Sequence, residues 1–130
     1  MLTLPRSVRI HLAMAPVDLR KSIDGLCALV QGRAHDAYSG HLFVFTSRRG
    51  DRVKVLAWDR GGFVLYYKRL EKGRFKLPMV AAGAAEVELD ATQLAMLLDG
   101  IDVRRVKAPA RWEPPARAVE RSIAAEEEST

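Results

Sequence analysis

Between residues 48 and 76 the chain carries ten Lys and Arg residues: Arg48, Arg49, Arg52, Lys54, Arg60, Lys68, Arg69, Lys72, Arg74 and Lys76. Only Asp51, Asp59 and Glu71 oppose them, and Trp58, Phe63, Tyr66, Tyr67 and Phe75 are interleaved. Cations at this density neutralise phosphates and release condensed counterions, while aromatic faces stack on unpaired bases. The same residues also read as an ordinary sheet edge blunted by charge, with its aromatics turned into a core. The residue types alone leave both readings open.

Groups that could run a reaction do not gather elsewhere. The chain has no GxxxxGK[ST] or GxGxxG phosphate loop, no HExxH and no CxxC pair. His11, His35 and His41 are scattered over a strand and a loop, so no shared metal site is expected. Cys27 falls on the apolar stripe of a helix and reads as a small buried hydrophobe rather than a nucleophile. Asp18, Asp36, Asp51, Asp59 and Glu71 stand at turns or caps, whose hydrogen bonds account for them without catalysis. A metal-dependent nuclease needs carboxylates clustered around two ions, and nothing in the sequence favours that. No catalytic residue, no metal and no cofactor is expected.

Arg49-Gly50-Asp51 is turn chemistry before it is an adhesion triplet. A single cysteine in 130 residues cannot form an internal disulfide, which fits a reducing interior. No secretory signal is visible, and no run approaches the roughly 20 apolar residues that span a bilayer. The expected location is therefore cytoplasmic, compatible with nucleoid association, with no membrane partner. The net charge is +5, and it is unevenly spread. Residues 1–77 carry 15 Lys and Arg against 6 Asp and Glu, whereas residues 78–130 carry 6 against 10. A basic body with an acidic end suggests an anionic partner for the body.

The elements that must position these groups follow from hydrophobic spacing. VRIHLAM (8–14) alternates as a strand and stops at Pro16. Asp18 is placed as a helix N-cap, and Leu19, Ile23, Leu26, Cys27, Val30 and Ala34 then form one apolar stripe. Gly25 weakens that helix by about 1 kcal/mol relative to Ala, and Gly32 is an early stop. After a Ser39-Gly40 turn, HLFVFTS, DRVKVLAWD and FVLYYKRL read as strands joined by two hairpin connections, at 48–51 and 59–62.

Four-residue loops would set Ser47 opposite Arg52 and Trp58 opposite Phe63. One sheet face then carries Leu42, Val44, Thr46, Val53, Val55, Ala57, Val64 and Tyr66, and is expected to pack on the first helix. The other carries Phe43, Phe45, Arg52, Lys54, Leu56, Trp58, Phe63, Leu65, Tyr67 and Arg69, grading from basic to aromatic. A one-residue change in either loop would exchange the faces.

Glu86–Leu89 reads as a short strand. Asp90 and Gln93 then form a capping box, Leu89 and Leu94 a staple, and Leu94, Leu97 and Leu98 a buried face; Gly100 is the stop and Ile101 folds back. Beyond Val103, Arg104, Arg105, Lys107 and Arg111 are mixed with Pro109, Pro114 and Pro115, which prevent regular structure. The expected fold is α+β: an antiparallel sheet of about 4–6 strands on one long helix, with a short C-terminal helix and an irregular tail. Residues 1–112 form the single domain, and residues 113–130 are a flexible or frayed-helical acidic tail.

Four stretches are more specific than composition: PVDLRKSIDGL (16–26), SGHLFVF (39–45), RRGDRVKVLAWDRGGFVLYYKRLEKGRF (48–75) and LAMLLDGID (94–102). In this order they resemble the small TnpB-type accessory protein of the insertion-sequence sixty-six family of bacterial transposable elements, which is distinct from the RNA-guided nuclease of the same name. The resemblance spans about residues 4–112. The motif positions are Asp18, Arg20, Lys21, Asp24, Gly25, Arg48, Arg49, Gly50, Asp51, Lys54, Trp58, Asp59, Tyr67, Lys68, Arg69, Leu70, Gly73, Arg74 and Phe75. Two positions depart from the family pattern: Leu77-Pro78 stands where Trp-Pro is usual, and IDVRRVK lacks the tryptophan often found after Ile-Asp.

The resemblance implies a part in DNA transposition beside a separate, larger transposase that carries the nuclease chemistry. The family has no established catalytic residues, so none is carried over. The expectation is a non-catalytic accessory protein that binds DNA at the element ends, the transposase, or both. Its basic hairpin face is formed by Arg48, Arg49, Arg52, Lys54, Trp58, Lys68, Arg69, Lys72 and Arg74, with Arg20 and Lys21. One alternative is an adaptor that docks on the transposase or another protein of the element without touching DNA. A less favoured one is a metal-dependent nuclease. A homodimer is compatible with the strand edge and short helix but not required.

Overall fold

The computed structural model describes residues 7–101. They form β1 (Ile10–Ala13), α1 (Ile23–Gly32), β2 (Leu42–Thr46), β3 (Arg52–Asp59), β4 (Gly62–Arg69), β5 (Glu86–Leu89) and α2 (Ala91–Leu98). The five strands make one sheet in the order β4-β3-β2-β1-β5. β2, β3 and β4 form an antiparallel meander, and β5 runs antiparallel to β1. β1, however, pairs with β2 in parallel. The sheet is therefore mixed rather than antiparallel: α1 lies between β1 and β2 in the chain, and a helical crossover returns it in the same direction.

Both hairpin registers match the four-residue-loop reading. Trp58 pairs with Phe63, and the Ser47 N–H donates to the Arg52 carbonyl at 3.0 Å. The two sets of face residues are accordingly as expected, but their covers are exchanged. Phe43, Phe45 and Leu56 pack with Leu26 and Val30 of α1. Leu42, Val44, Val53, Val55 and Ala57 pack with Leu94 and Leu97 of α2 and with Phe75. All five residues of β2 are buried, so the sheet is apolar on both faces at its centre and both must be covered. The β-branched face suits the small leucine face of α2; the face with the phenylalanines takes the longer helix.

The expected long helix is shorter, 10 residues, and the expected short C-terminal helix has 8. α1 starts later than expected, with Ser22 and not Asp18 as N-cap. Asp18 is engaged instead by Arg20, whose backbone N–H and guanidinium both donate to its carboxylate. α1 ends at Gly32, and the N–H groups of Arg33 and His35 bond back to the Val30 carbonyl. The turn is completed by Ala34 with a left-handed φ of 65°.

α2 follows its sequence signals closely. The Asp90 carboxylate accepts from the Gln93 N–H at 2.7 Å, and the Gln93 side chain accepts from the Asp90 N–H at 2.9 Å. At the other end Gly100 bonds to the Leu97 carbonyl and Ile101 to that of Met96, the paired bonds of a glycine-stopped helix. The boundary at 112, the cations from Arg104 to Arg111 and the acidic tail lie outside the described residues.

Candidate nucleic-acid interface

The site is built on the β2–β3 corner. The Gly50 N–H donates to the Ser47 carbonyl at 3.0 Å with φ 77°, a conformation that glycine adopts without penalty. Ser47 Oγ accepts from the Arg52 N–H and donates to Asp51. Gly50 and Asp51 thus turn the corner. The chain leaving β4 then clamps it from outside: Leu70 N–H donates to the Asp51 carbonyl and Phe75 N–H to that of Gly50, both at 2.8 Å. Phe75 is buried beneath, so the corner is anchored to the α2-side core.

Beside this corner, the 16–22 segment is held by a Val17 N–H bond to the Thr46 carbonyl at 2.9 Å. Between corner and segment lies a cleft of about 680 Å³ whose lining includes Arg20, Arg48, Arg49, Arg52 and Tyr67. Asp18 is the one carboxylate in that lining among the described residues. Its oxygens take the Arg20 guanidinium at 2.7 Å and 3.0 Å. That side-chain bond, with the Arg20 backbone N–H, holds the exposed Asp18 carboxyl far below the usual carboxylate range, and Arg20 is raised in turn. On the neighbouring ladder Arg52 faces Arg69 and Lys54 faces Tyr67. The Lys54 ammonium lies 5.2 Å from the Tyr67 ring centre and donates to the Lys21 carbonyl at 2.9 Å. The stem of Lys21 crosses Gly25, where a Cβ would meet it at 3.0 Å.

The remaining sequence-predicted residues are not brought into the cleft. Lys68 sits with Val53 on the α2 side of the sheet, where its ammonium donates to the Leu98 carbonyl at 2.6 Å. Trp58 is six steps along β3 from Arg52, about 20 Å at strand rise. There it meets Tyr38 and Phe63, each with ring centres 5.0 Å away. Arg69 lies 3.7 Å from Glu71 on the surface. The stem of Arg74 runs past Gly50, and Lys72 stands on an exposed bend.

A second convergence was not visible in the sequence. His11 of β1, His35 of the turn after α1 and Glu86 of β5 come together, half-buried. The His11 and His35 ring centres are 4.3 Å apart, and His11 stacks on Phe43 at 5.5 Å. Burial first, and His35 second, hold His11 below its ordinary value. His41 is occupied elsewhere: its Nδ1 accepts from the Arg9 N–H at 3.0 Å. The usable signal was the alternation that puts His11 with Ala13, and Glu86 with Glu88, on single strand faces; the β1–β5 pairing that joins them is non-local.

A family model described as IS66 Orf2 like protein matches residues 8–108. The uncharacterized protein y4jC of Sinorhizobium fredii is 40% identical over 103 residues, covering 78% of this chain and 86% of that protein. The uncharacterized protein y4hO of the same organism is 36% identical over 115 residues, covering 88% and 96% respectively. No solved structure matches. No helix among the described residues is long and apolar enough to cross a membrane.

Proposed function

We propose a DNA-binding role in transposition for this chain, which belongs to the IS66 Orf2-like family of insertion-sequence-associated accessory proteins. The observation that carries the proposal is the convergence of Arg20, Arg48, Arg49 and Arg52 on one cleft, against a single carboxylate among the described residues. Guanidinium forks match phosphate oxygens and stay charged at every physiological pH. Contacts of this kind fix a duplex in place but carry little sequence information. The chain would therefore act without catalysis, holding element DNA while the transposase performs the cutting and joining.

Fluorescence anisotropy with labelled element-end duplex and a scrambled duplex, titrated across salt, tests this reading. Binding should weaken steeply with salt, and Arg48→Ala/Arg49→Ala/Arg52→Ala should flatten the slope by about one unit per lost phosphate contact. An unchanged slope in the folded triple variant would remove the cleft from the reading.

A second reading, docking on the transposase, draws on β4. This edge strand shows Val64 and Tyr66, 38% and 41% exposed, on the α2 side of the sheet, where they pair with Ala57 and Val55. Co-purification of the transposase that survives nuclease treatment and is lost in Tyr66→Ser would favour that reading.

A further inference from the structure

We propose that His11, His35 and Glu86 form a binding site for one divalent first-row transition ion, best suited to zinc, which ties edge strand β5 to the end of α1. Glu86 Oε2 lies 3.2 Å from His11 Nδ1 and 2.9 Å from His35 Nε2. All the donor atoms fall within 4.8 Å of one another. Zinc bonds of about 2.0–2.1 Å at tetrahedral angles place donors about 3.3 Å apart, so small adjustments suffice. Two imidazoles and one carboxylate suit zinc and leave a fourth position for water; magnesium and calcium prefer all-oxygen sets, and copper(I) prefers sulfur.

The donors are fixed from three directions. In the β1–β5 ladder His11 pairs with Glu88 and Ala13 with Glu86, so His11 and Glu86 are diagonal neighbours on one face. Phe43, paired with His11 across β2, backs the His11 ring. His35 is delivered by Ala34, whose left-handed φ of 65° is a conformation that a residue with a Cβ rarely adopts. Strain of this sort is tolerated where it sets up a site. Beside Glu86, the Ala85 carbonyl accepts from the Met14 N–H at 3.0 Å and from Arg33 at 3.4 Å. The competing charges are engaged elsewhere: Glu88 pairs with Arg9 at 2.8 Å, and Arg33 is turned to that carbonyl.

The test uses the full chain, stripped with chelator and titrated with zinc chloride by calorimetry and thermal unfolding. One equivalent should bind and raise the melting temperature, and chelator should reverse the rise. Cobalt(II) should give visible d–d absorption without a thiolate band, because Cys27 is not among the donors. His35→Gln and Glu86→Gln should each bind zinc at least tenfold more weakly and lose the rise. Failure of the parent protein to bind zinc, or undiminished binding in both variants, would overturn the site. Should a variant fail to fold, zinc-dependent shifts of the His11 and His35 ring resonances in the parent decide: their absence also overturns it.

Discussion

Arg52 and Arg69 stand directly opposite each other in the β3–β4 ladder. Like charges placed across strands destabilise a sheet by a few tenths of a kcal/mol up to about 1 kcal/mol, a cost that an anion bound between them would remove. Arg52→Thr should therefore raise the urea midpoint or leave it unchanged while weakening duplex binding and flattening its salt slope. Denaturation and anisotropy on the same preparation check this. Loss of stability and binding together would mean that Arg52 supports the fold, not a ligand.

Asp18 occupies the Arg20 guanidinium through a two-point contact. An anion entering the cleft must compete with that carboxylate, whose proton affinity the Arg20 side chain and backbone N–H hold down. Asp18→Asn should tighten duplex binding several-fold at low salt and steepen the salt slope, since one more cation becomes available to phosphate. Unchanged affinity would place Arg20 outside the contact surface.

The sequence was most legible where interactions are local. The Asp90–Gln93 capping box, the Gly100 stop and both hairpin registers depend on residues close in the chain, and the structure has all of them, although the β3–β4 loop closes to two residues because Asp59 pairs with Gly62. What depended on distant pairing was not legible. β2 is apolar on both faces, so alternation could not say which face α1 would take. Asp18 had the right residue type for a cap, but its neighbour Arg20 competed for the carboxylate. The cleft was half visible: Arg48, Arg49 and Arg52 are adjacent in sequence, whereas Arg20 reaches them only because Val17 is bonded to the end of β2. The histidine–carboxylate cluster needed the β1–β5 register, for which a four-residue strand gives little signal.

Gly50 combines a φ of 77° with a close neighbour, since a Cβ there would stand 3.4 Å from the Arg74 side chain. Gly50→Ala should destabilise the protein by about 1–2 kcal/mol through the backbone alone. Gly62 has an ordinary φ and open space around it, so Gly62→Ala should stay within about 0.5 kcal/mol. Urea midpoints of the two variants give the comparison; equal losses would argue against a special conformation at the corner.

Cys27 is half-buried on α1, and burial together with the nearby Asp24 carboxylate pushes its thiol up. The thiolate is the reactive form, so its fraction at neutral pH falls as the pKa rises. Disulfide exchange with a chromogenic reagent should be slower at pH 7.5 than for glutathione and should accelerate with pH and with denaturant. A fast reaction in the folded protein would contradict the packing of that helix face.

Lys68 separates a stabilising cation from a DNA-binding one. It belongs to the basic run of the sequence, yet its ammonium caps the Leu98 carbonyl at the C-terminal end of α2, on the far side of the sheet from the cleft. A charged donor at a helix C-terminus is worth up to about 1–2 kcal/mol when partly buried. Lys68→Met keeps most of the apolar stem and removes the charge, so it should lower stability by about 1 kcal/mol. The salt slope of duplex binding should stay that of the parent. Arg49→Met, which alters the cleft lining, should do the reverse: little change in the unfolding midpoint and a slope flattened by about one unit. If both variants flattened the slope equally, binding would follow total charge rather than this cleft, and the placement of DNA on the α1 side of the sheet would have to be abandoned.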